Sequence, residues 1–359
     1  MSSNQAAVVA DEAARPGRCR ITVESDRAAS FDVGRNELLL LSAIAQGVEY
    51  PHNCRVGTCG RCKTRLISGR ISPMVDFALS PLSNQELKDG YILACQAKVR
   101  GDLVIDVKLG GTSVLPVRTV SSRVVRWERL PGEVIDLRLK LDEPLRFNAG
   151  QYCTIAESGS FVRRSYSFYD APPAADSEGA QEVGFLVKRL PGGQFSEWLF
   201  ERDRVGTKVW LEGPFGMMGV ADHDRDGLCV AGGTGLAPIL SIVADRLQRS
   251  TGARFTIVFG LRTSRDVFAN EALQQLLARY PERLRLVTIL SHEPAGSSWQ
   301  GPRGLITAAL DAQLGVDYRD VTAFVCGSLP MVEAVEKTLQ RLGLPPERIH
   351  ADKFLPTGY

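Results

Sequence analysis

Apolar and polar residues alternate along Arg20-Ile21-Thr22-Val23 and again along Ser30-Phe31-Asp32-Val33, so these two runs predict a hairpin of half-buried strands. A helix is predicted over 38–46, with Asn36 as its N-cap and Leu40, Leu41 and Ile44 on one face. Short apolar runs at 65–67, 92–95 and 103–107 predict further strands. From Pro116 to about Ala221 strand signals crowd together, at 117–120, 134–141, 152–155, 184–187 and 208–211. Gly and Pro turns separate them, a spacing that fits an antiparallel barrel. A short helix is predicted over 195–201. From Leu228 the period changes: apolar runs at 228–231, 255–259, 284–290 and 321–326 alternate with helices ending near Gln248 and spanning 270–279 and 330–342. Strands alternating with helices predict a parallel, doubly wound sheet.

A chain of 359 residues is beyond the size of one hydrophobic core and calls for two or three domains. The pattern divides it into a mobile leader (1–17), a first domain (18–109), a linker (110–115), a barrel (116–222) and an α/β domain (223–359). The expected fold is thus multidomain, α+β followed by α/β. Hydrophobic residues at 44% and charged residues at 23% suit a globular protein, and a net charge of +2 argues against nucleic acid as a partner. No run reaches the ~18 apolar residues of a membrane span. Residues 1–17 lack a basic stretch followed by an apolar one, so a cytoplasmic location is expected.

The eight cysteines change the picture most. Cys54, Cys59 and Cys62 follow Cys-x4-Cys-x2-Cys, with Cys95 after 32 further residues, the ligand pattern of a plant-type [2Fe–2S] cluster. Gly57 and Gly60 stand between ligands, where the backbone must turn tightly and aim N–H groups at sulfur. Chance produces the three-cysteine spacing in roughly 0.4% of chains of this cysteine content, and four-cysteine zinc sites favour paired Cys-x2-Cys units. The cluster is the stronger reading. Only His52, His223, His292 and His350 occur, with neither Rieske spacing nor a facial triad, so the chain is expected to donate electrons rather than activate oxygen.

Arg163-Arg164-Ser165-Tyr166-Ser167-Phe168 lies among the barrel strands. An Arg fork suits pyrophosphate, a Tyr ring stacks on isoalloxazine and a Ser hydroxyl can reach a flavin nitrogen. Taken alone, Tyr-Ser in a strand is usually just strand. Lys188-Arg189-Leu190-Pro191-Gly192-Gly193-Gln194-Phe195-Ser196 then runs glycines into a helix, where N–H groups can face a phosphate. Together with Glu212-Gly213-Pro214-Phe215-Gly216, these segments resemble the ferredoxin–NADP reductase superfamily. The resemblance implies FAD held by Arg164, Tyr166, Ser167, Phe168, Lys188, Gly193 and Ser196.

Gly232-Gly233-Thr234-Gly235-Leu236-Ala237-Pro238 departs from Gly-x-Gly-x-x-Gly, because Pro238 stands where the third Gly would be. It is similar to that superfamily's own dinucleotide turn, which implies contacts from Gly233, Thr234, Gly235 and Pro238. Cys326-Gly327-Ser328-Leu329-Pro330-Met331 resembles its Cys-Gly-x-x-x-Met signature, implying Cys326 and Gly327 near nicotinamide; by itself Cys326 reads as a buried strand end. Asp352-Lys353-Phe354 stands where relatives have Glu-Lys-Phe, implying that the Phe354 ring covers the flavin; simple C-terminal packing is the bland alternative. Ser167, Cys326 and Phe354 are the implied catalytic residues. An acid after the second strand would favour NAD. This chain offers Arg262-Thr263-Ser264-Arg265 there, which suits a 2′-phosphate, whereas the resemblance favours NADH with NADPH as the alternative.

The order of modules, a β-grasp ferredoxin domain, a flavin barrel and a nicotinamide domain, resembles NADH-dependent reductase components of multicomponent bacterial oxygenases. Pro51-His52-Asn53-Cys54 and Tyr91-Ile92-Leu93-Ala94-Cys95-Gln96 resemble the xylene-type members most. The implied activity is electron transfer from NADH through FAD and the [2Fe–2S] cluster to an oxygenase component. A same-build reductase for a deoxysugar dehydrase, a redox-sensing binding protein and a zinc-bearing flavin reductase are the alternatives.

Overall fold

The computed structural model describes residues 17–354 except 26–28, 53–56, 58–59, 73–81, 83, 111–114, 161, 217, 220–224, 251 and 312–313. Nearly all of the expected leader and most of the expected linker lie outside these residues, as do Cys54, Cys59 and His223. The chain forms two compact units, Met1–Ser113 and Val114–Tyr359.

In the first unit, β1 (Arg18–Val23), β2 (Phe31–Gly34), α1 (Leu39–Ala45), β3 (Lys63–Ser68), α2 (Asn84–Lys88), β4 (Tyr91–Leu93) and β5 (Leu103–Asp106) follow in order. The sheet runs β2-β1-β5-β3-β4, with β1 and β5 parallel and the other pairs antiparallel. Ile21, Val23, Phe31 and Val33, alternate residues of the first hairpin, are buried against Leu39, Leu40 and Ala43. Burying each of the larger side chains stabilises the unit by about 1.5–3 kcal/mol.

Two expectations for the helix need correction. Asn36 is not its N-cap: it takes a positive φ of 72°, while Leu38 occupies the cap position without a side-chain cap. Glu37 organises the turn instead, accepting from Gly34 N–H at 3.1 Å and from the Ser42 hydroxyl at 2.7 Å. The buried face is Leu39, Leu40 and Ala43, and Leu41 is 43% exposed.

The second unit begins with β6 (Arg118–Leu130), β7 (Val134–Leu145), β8 (Tyr152–Glu157), β9 (Arg163–Ser167), β10 (Ala180–Lys188), α3 (Gln194–Glu201) and β11 (Lys208–Phe215). Its antiparallel sheet runs β10-β7-β6-β11-β8-β9. The long β6–β7 hairpin has its turn at Gly132 and Glu133, both at positive φ. Then come β12 (Gly227–Gly232), α4 (Leu236–Arg249), β13 (Phe255–Leu261), α5 (Glu271–Arg279), β14 (Leu284–Leu290), α6 (Ile306–Asp311), β15 (Thr322–Ser328), α7 (Leu329–Arg341) and β16 (Ile349–Phe354). These five strands form an all-parallel sheet in the order β14-β13-β12-β15-β16. The chain leaves β12 toward β13 and later returns to its other side with β15, so the order reverses at β12. Ligands of such sheets bind beyond the carboxyl ends of the strands at that reversal. Val134, Ala149, Tyr169 and Leu186 from the antiparallel part share one core with Leu236, Ala237 and Ile242 from the parallel part.

Candidate redox and dinucleotide sites

Two of the four expected cluster ligands are described. Cys62 immediately precedes β3 and Cys95 follows β4, and these strands pair with Lys63 opposite Leu93. Ala94 N–H donates to the Cys62 carbonyl at 3.1 Å, which draws the two cysteines to one end of the ladder. Neither forms a disulfide, and both are almost fully buried, at 3% and 1% exposure. Gly57 and Gly60 take φ of 90° and 70°, and a Cβ on Gly57 would stand 3.0 Å from Gln96 Cγ. Gln96 Nε2 in turn donates to Cys95 Sγ at 3.9 Å. Paired buried thiols beside a left-handed loop fit a thiolate-held cluster. His52, buried, bonds the Tyr50 carbonyl through Nδ1 at 2.7 Å. Burial pushes the Tyr50 hydroxyl well above its ordinary pKa, against the lowering effect of its bond with Thr64.

The flavin motif forms β9, an edge strand paired only with β8, with Tyr152 opposite Ser167 and Ile155 opposite Arg164. Arg164 is half-buried, its guanidinium donating to the Arg163 carbonyl at 2.9 Å. The Tyr166 ring lies 5.5 Å from that of Phe195 in α3, which ties the motif strand to the glycine turn. Burial raises the Tyr166 hydroxyl above its ordinary value, and nearby Arg164 opposes the shift. Ser167 is 5% exposed.

The Phe168 ring is fully buried in the core, stacked at 4.3 Å on Phe147 and 5.4 Å from Phe185. Lys188 donates to the Gly132 carbonyl. The Ser196 hydroxyl has the Leu190 and Gly193 carbonyls each at 3.2 Å to take its one proton and accepts from Leu190 N–H at 3.1 Å, so it closes the turn. Gly193 is needed because a Cβ there would stand 2.8 Å from Ser196 Oγ and 2.9 Å from the Leu190 carbonyl.

The second glycine turn lies at the carboxyl end of β12 and opens α4. Gly235 admits no side chain: a Cβ would sit 2.3 Å from the Cys326 carbonyl of neighbouring β15. Gly233 has φ of 54° with nothing within 4 Å of a Cβ, so its face is open. Pro238 is buried within the first turn of α4. Cys326 is fully buried opposite Asp352 in the β15–β16 pair, and Phe354 stands opposite Ser328. Burial and then Asp352 push the Cys326 thiol well above its ordinary range. Gly327 packs against Met331, whose methyl would meet its Cβ at 2.8 Å. Arg262, just beyond β13, is exposed. Gly233–Gly235, Cys326–Gly327 and Phe354 thus gather at the carboxyl ends of β12, β15 and β16.

Residues 22–100 match the family described as a 2Fe-2S iron-sulfur cluster binding domain, 121–219 an oxidoreductase FAD-binding domain and 229–337 an oxidoreductase NAD-binding domain. The xylene/toluene monooxygenase electron transfer component of Pseudomonas putida is 36% identical over 326 residues, covering 90% of each chain. The chain belongs to the flavin and iron–sulfur reductase components of multicomponent oxygenases. The naphthalene 1,2-dioxygenase system reductase component of Pseudomonas putida is 33% identical, over 93% of this chain and 98% of its own. Among solved structures, an Amycolatopsis cytochrome P450 reductase superposes with TM-score 0.77 at 29% identity, covering 95% of this chain and all of its own. The ferredoxin reductase in carbazole 1,9a-dioxygenase gives 0.72 at 29% identity, over 94% and 98% of the two chains.

As a member of this family the chain is an oxidoreductase that takes electrons from NADH and uses FAD and a [2Fe–2S] cluster. No helix among the described residues is long and apolar enough to cross a membrane. Sequence reasoning missed Gln96, Tyr50 and Thr64 around the cluster cysteines. Gln96 and Thr64 are close to Cys95 and Cys62 in the sequence, but no spacing pattern marks any of the three.

Proposed function

We propose that this chain is the cytoplasmic electron donor of an iron-containing oxygenase that attacks an aromatic hydrocarbon. The observation that carries this is the burial of Cys62 beside Cys95 in a chain that also bears both glycine turns. The identity to the xylene/toluene monooxygenase component supports the choice of partner. When bound, the flavin accepts two electrons and the cluster passes them on singly, at roughly −400 mV.

The resemblance of these motifs to the reductase family supports a role for each residue. The Arg164 guanidinium would neutralise the pyrophosphate of a bound flavin, and the amides at the start of α3 would donate to the same group. The Tyr166 ring would stack on the isoalloxazine and the Ser167 hydroxyl would hydrogen-bond a flavin nitrogen. The Gly233-Thr234-Gly235 turn receives the dinucleotide phosphates. Cys326, Gly327 and Phe354 frame the nicotinamide position and exclude water from it. Arg61, exposed beside Cys62, belongs to the docking rim with Arg55 and Val56, both of which lie outside the described residues.

Anaerobic addition of NADH to the purified protein tests the reading. Bleaching of the flavin spectrum and a [2Fe–2S] electron paramagnetic resonance signal are expected, followed by loss of that signal on mixing with an aromatic-ring oxygenase component. A cluster that stays oxidised under excess NADH overturns it.

A further inference from the structure

The loop after β13 carries no acid at the position where dinucleotide folds bind the ribose 2′-hydroxyl, yet one is delivered there from elsewhere. Glu293, three residues beyond β14, accepts from Ser264 N–H at 2.6 Å and from the Ser264 hydroxyl at 2.9 Å. β13 and β14 are parallel neighbours paired to their last residues, Leu261 opposite Leu290, so the two loops leave the sheet side by side. His292 N–H binds the Arg262 carbonyl at 2.7 Å and holds them together. On the same loop Asp266 takes Thr263 N–H and the Thr263 hydroxyl, each at 2.9 Å.

We infer that Glu293 is the coenzyme-specificity residue of this reductase, excluding a 2′-phosphate by occupying the Ser264 donors with a built-in carboxylate. The inference rests on dinucleotide docking at Gly233–Gly235. Four hydrogen-bond donors of Thr263 and Ser264 would suit a phosphate beside Arg262 and Arg265, and all four already face carboxylate oxygens. An incoming 2′-phosphate would have to displace Glu293 and would meet its charge, whereas a 2′-hydroxyl carries no charge for it to repel. Glu293 is held ionised: bonds from Ser297 and Ser264, with Arg303 nearby, lower its pKa. Arg303 in turn donates to Ser297 at 3.0 Å. The two arginines suggested NADPH in the sequence; the paired loops reverse that reading.

The test compares wild type, E293D, E293Q and E293A in steady-state reduction of ferricyanide with NADH and with NADPH, and in inhibition by 2′,5′-ADP and 5′-AMP. E293A should raise kcat/KM for NADPH relative to NADH about tenfold or more, the scale of one hydrogen bond to a charged group. The gain should lie in KM for NADPH. E293Q should give part of this gain, E293D should keep wild-type selectivity, and 2′,5′-ADP but not 5′-AMP should bind E293A more tightly. An unchanged coenzyme ratio in both E293A and E293Q, or equal tightening of both nucleotides, overturns the inference. Normal NADH oxidation by wild type in that same experiment leaves docking at the glycine turn standing.

Discussion

Tyr50 and Thr64 share a buried hydroxyl–hydroxyl hydrogen bond of 2.5 Å, and Tyr50 is its donor. Thr64 has one hydroxyl proton, which goes to the Cys62 carbonyl at 3.2 Å, so it can only accept from Tyr50. The chain Tyr50–Thr64–Cys62 ties the peptide of an expected cluster ligand to a tyrosine with no exposed surface. Tyr50→Phe leaves a buried acceptor unsatisfied and should cost the first unit about 1–3 kcal/mol. Denaturant unfolding followed by cluster absorbance measures this. Thr64→Val strands the buried Tyr50 hydroxyl, leaves the Cys62 carbonyl with the Ala94 N–H alone, and should cost more than Tyr50→Phe. The reverse ranking would remove Thr64 from the middle of the chain.

The relay from flavin to cluster predicts separable activities. Cys95→Ala should abolish NADH-dependent reduction of cytochrome c while ferricyanide reduction, served by the flavin alone, stays near wild type. Flavin content, measured by absorbance after heat release, should be unchanged. Equal loss of both activities would mean that Cys95 supports the flavin unit rather than an outlet.

The two glycines of the dinucleotide turn should behave differently. Gly235→Ala drives a Cβ to 2.3 Å from the Cys326 carbonyl, backbone that cannot move without shifting β15. Displacement of a substrate by about 1 Å costs up to about 10²-fold in rate, so the rate of flavin bleaching by NADH should fall on that scale. Gly233→Ala meets no atom and carries only the strain of a left-handed residue, about 1–2 kcal/mol. It should remain active, with the smaller loss. Rapid-mixing measurement of flavin reduction separates the two.

Much of this architecture is legible in the chain. Alternating residues such as Ile21, Val23, Phe31 and Val33 announce strands because one face is buried, and the apolar runs 228–231 and 255–259 announce strands buried on both. β16 is not legible that way: Ile349-His350-Ala351-Asp352 alternates, but the buried positions are the polar ones, His350 and Asp352, and the strand pairs along the edge of β15. The direction of the Phe168 ring is not legible either, because a motif gives position in the chain, whereas the ring packs where Phe147 and Phe185 place it. Glu293 is 29 residues from Ser264, and no spacing rule joins residues brought together by parallel strand pairing.

Asp136 yields a pH prediction. It is fully buried on β7, accepts from the Tyr169 hydroxyl at 2.8 Å and lies 3.4 Å from Arg126, which also pairs with Glu271 at the start of α5. Its Oδ2 accepts no hydrogen bond. Burial raises its pKa, outweighing Tyr169, Arg126 and Arg138, which lower it. A carboxyl whose folded pKa exceeds its unfolded value binds its proton more tightly in the folded protein. Its contribution is therefore fully present below the unfolded pKa of about 3.9 and is lost as pH rises through the folded pKa. Asp136→Asn keeps an acceptor for Tyr169 and has no proton to lose. Thermal unfolding of the two proteins should thus show the stability of wild type relative to Asp136→Asn falling as pH rises from about 4, then levelling off. A difference that instead grows with pH would mean that the Arg126 and Arg138 charges outweigh burial at this site.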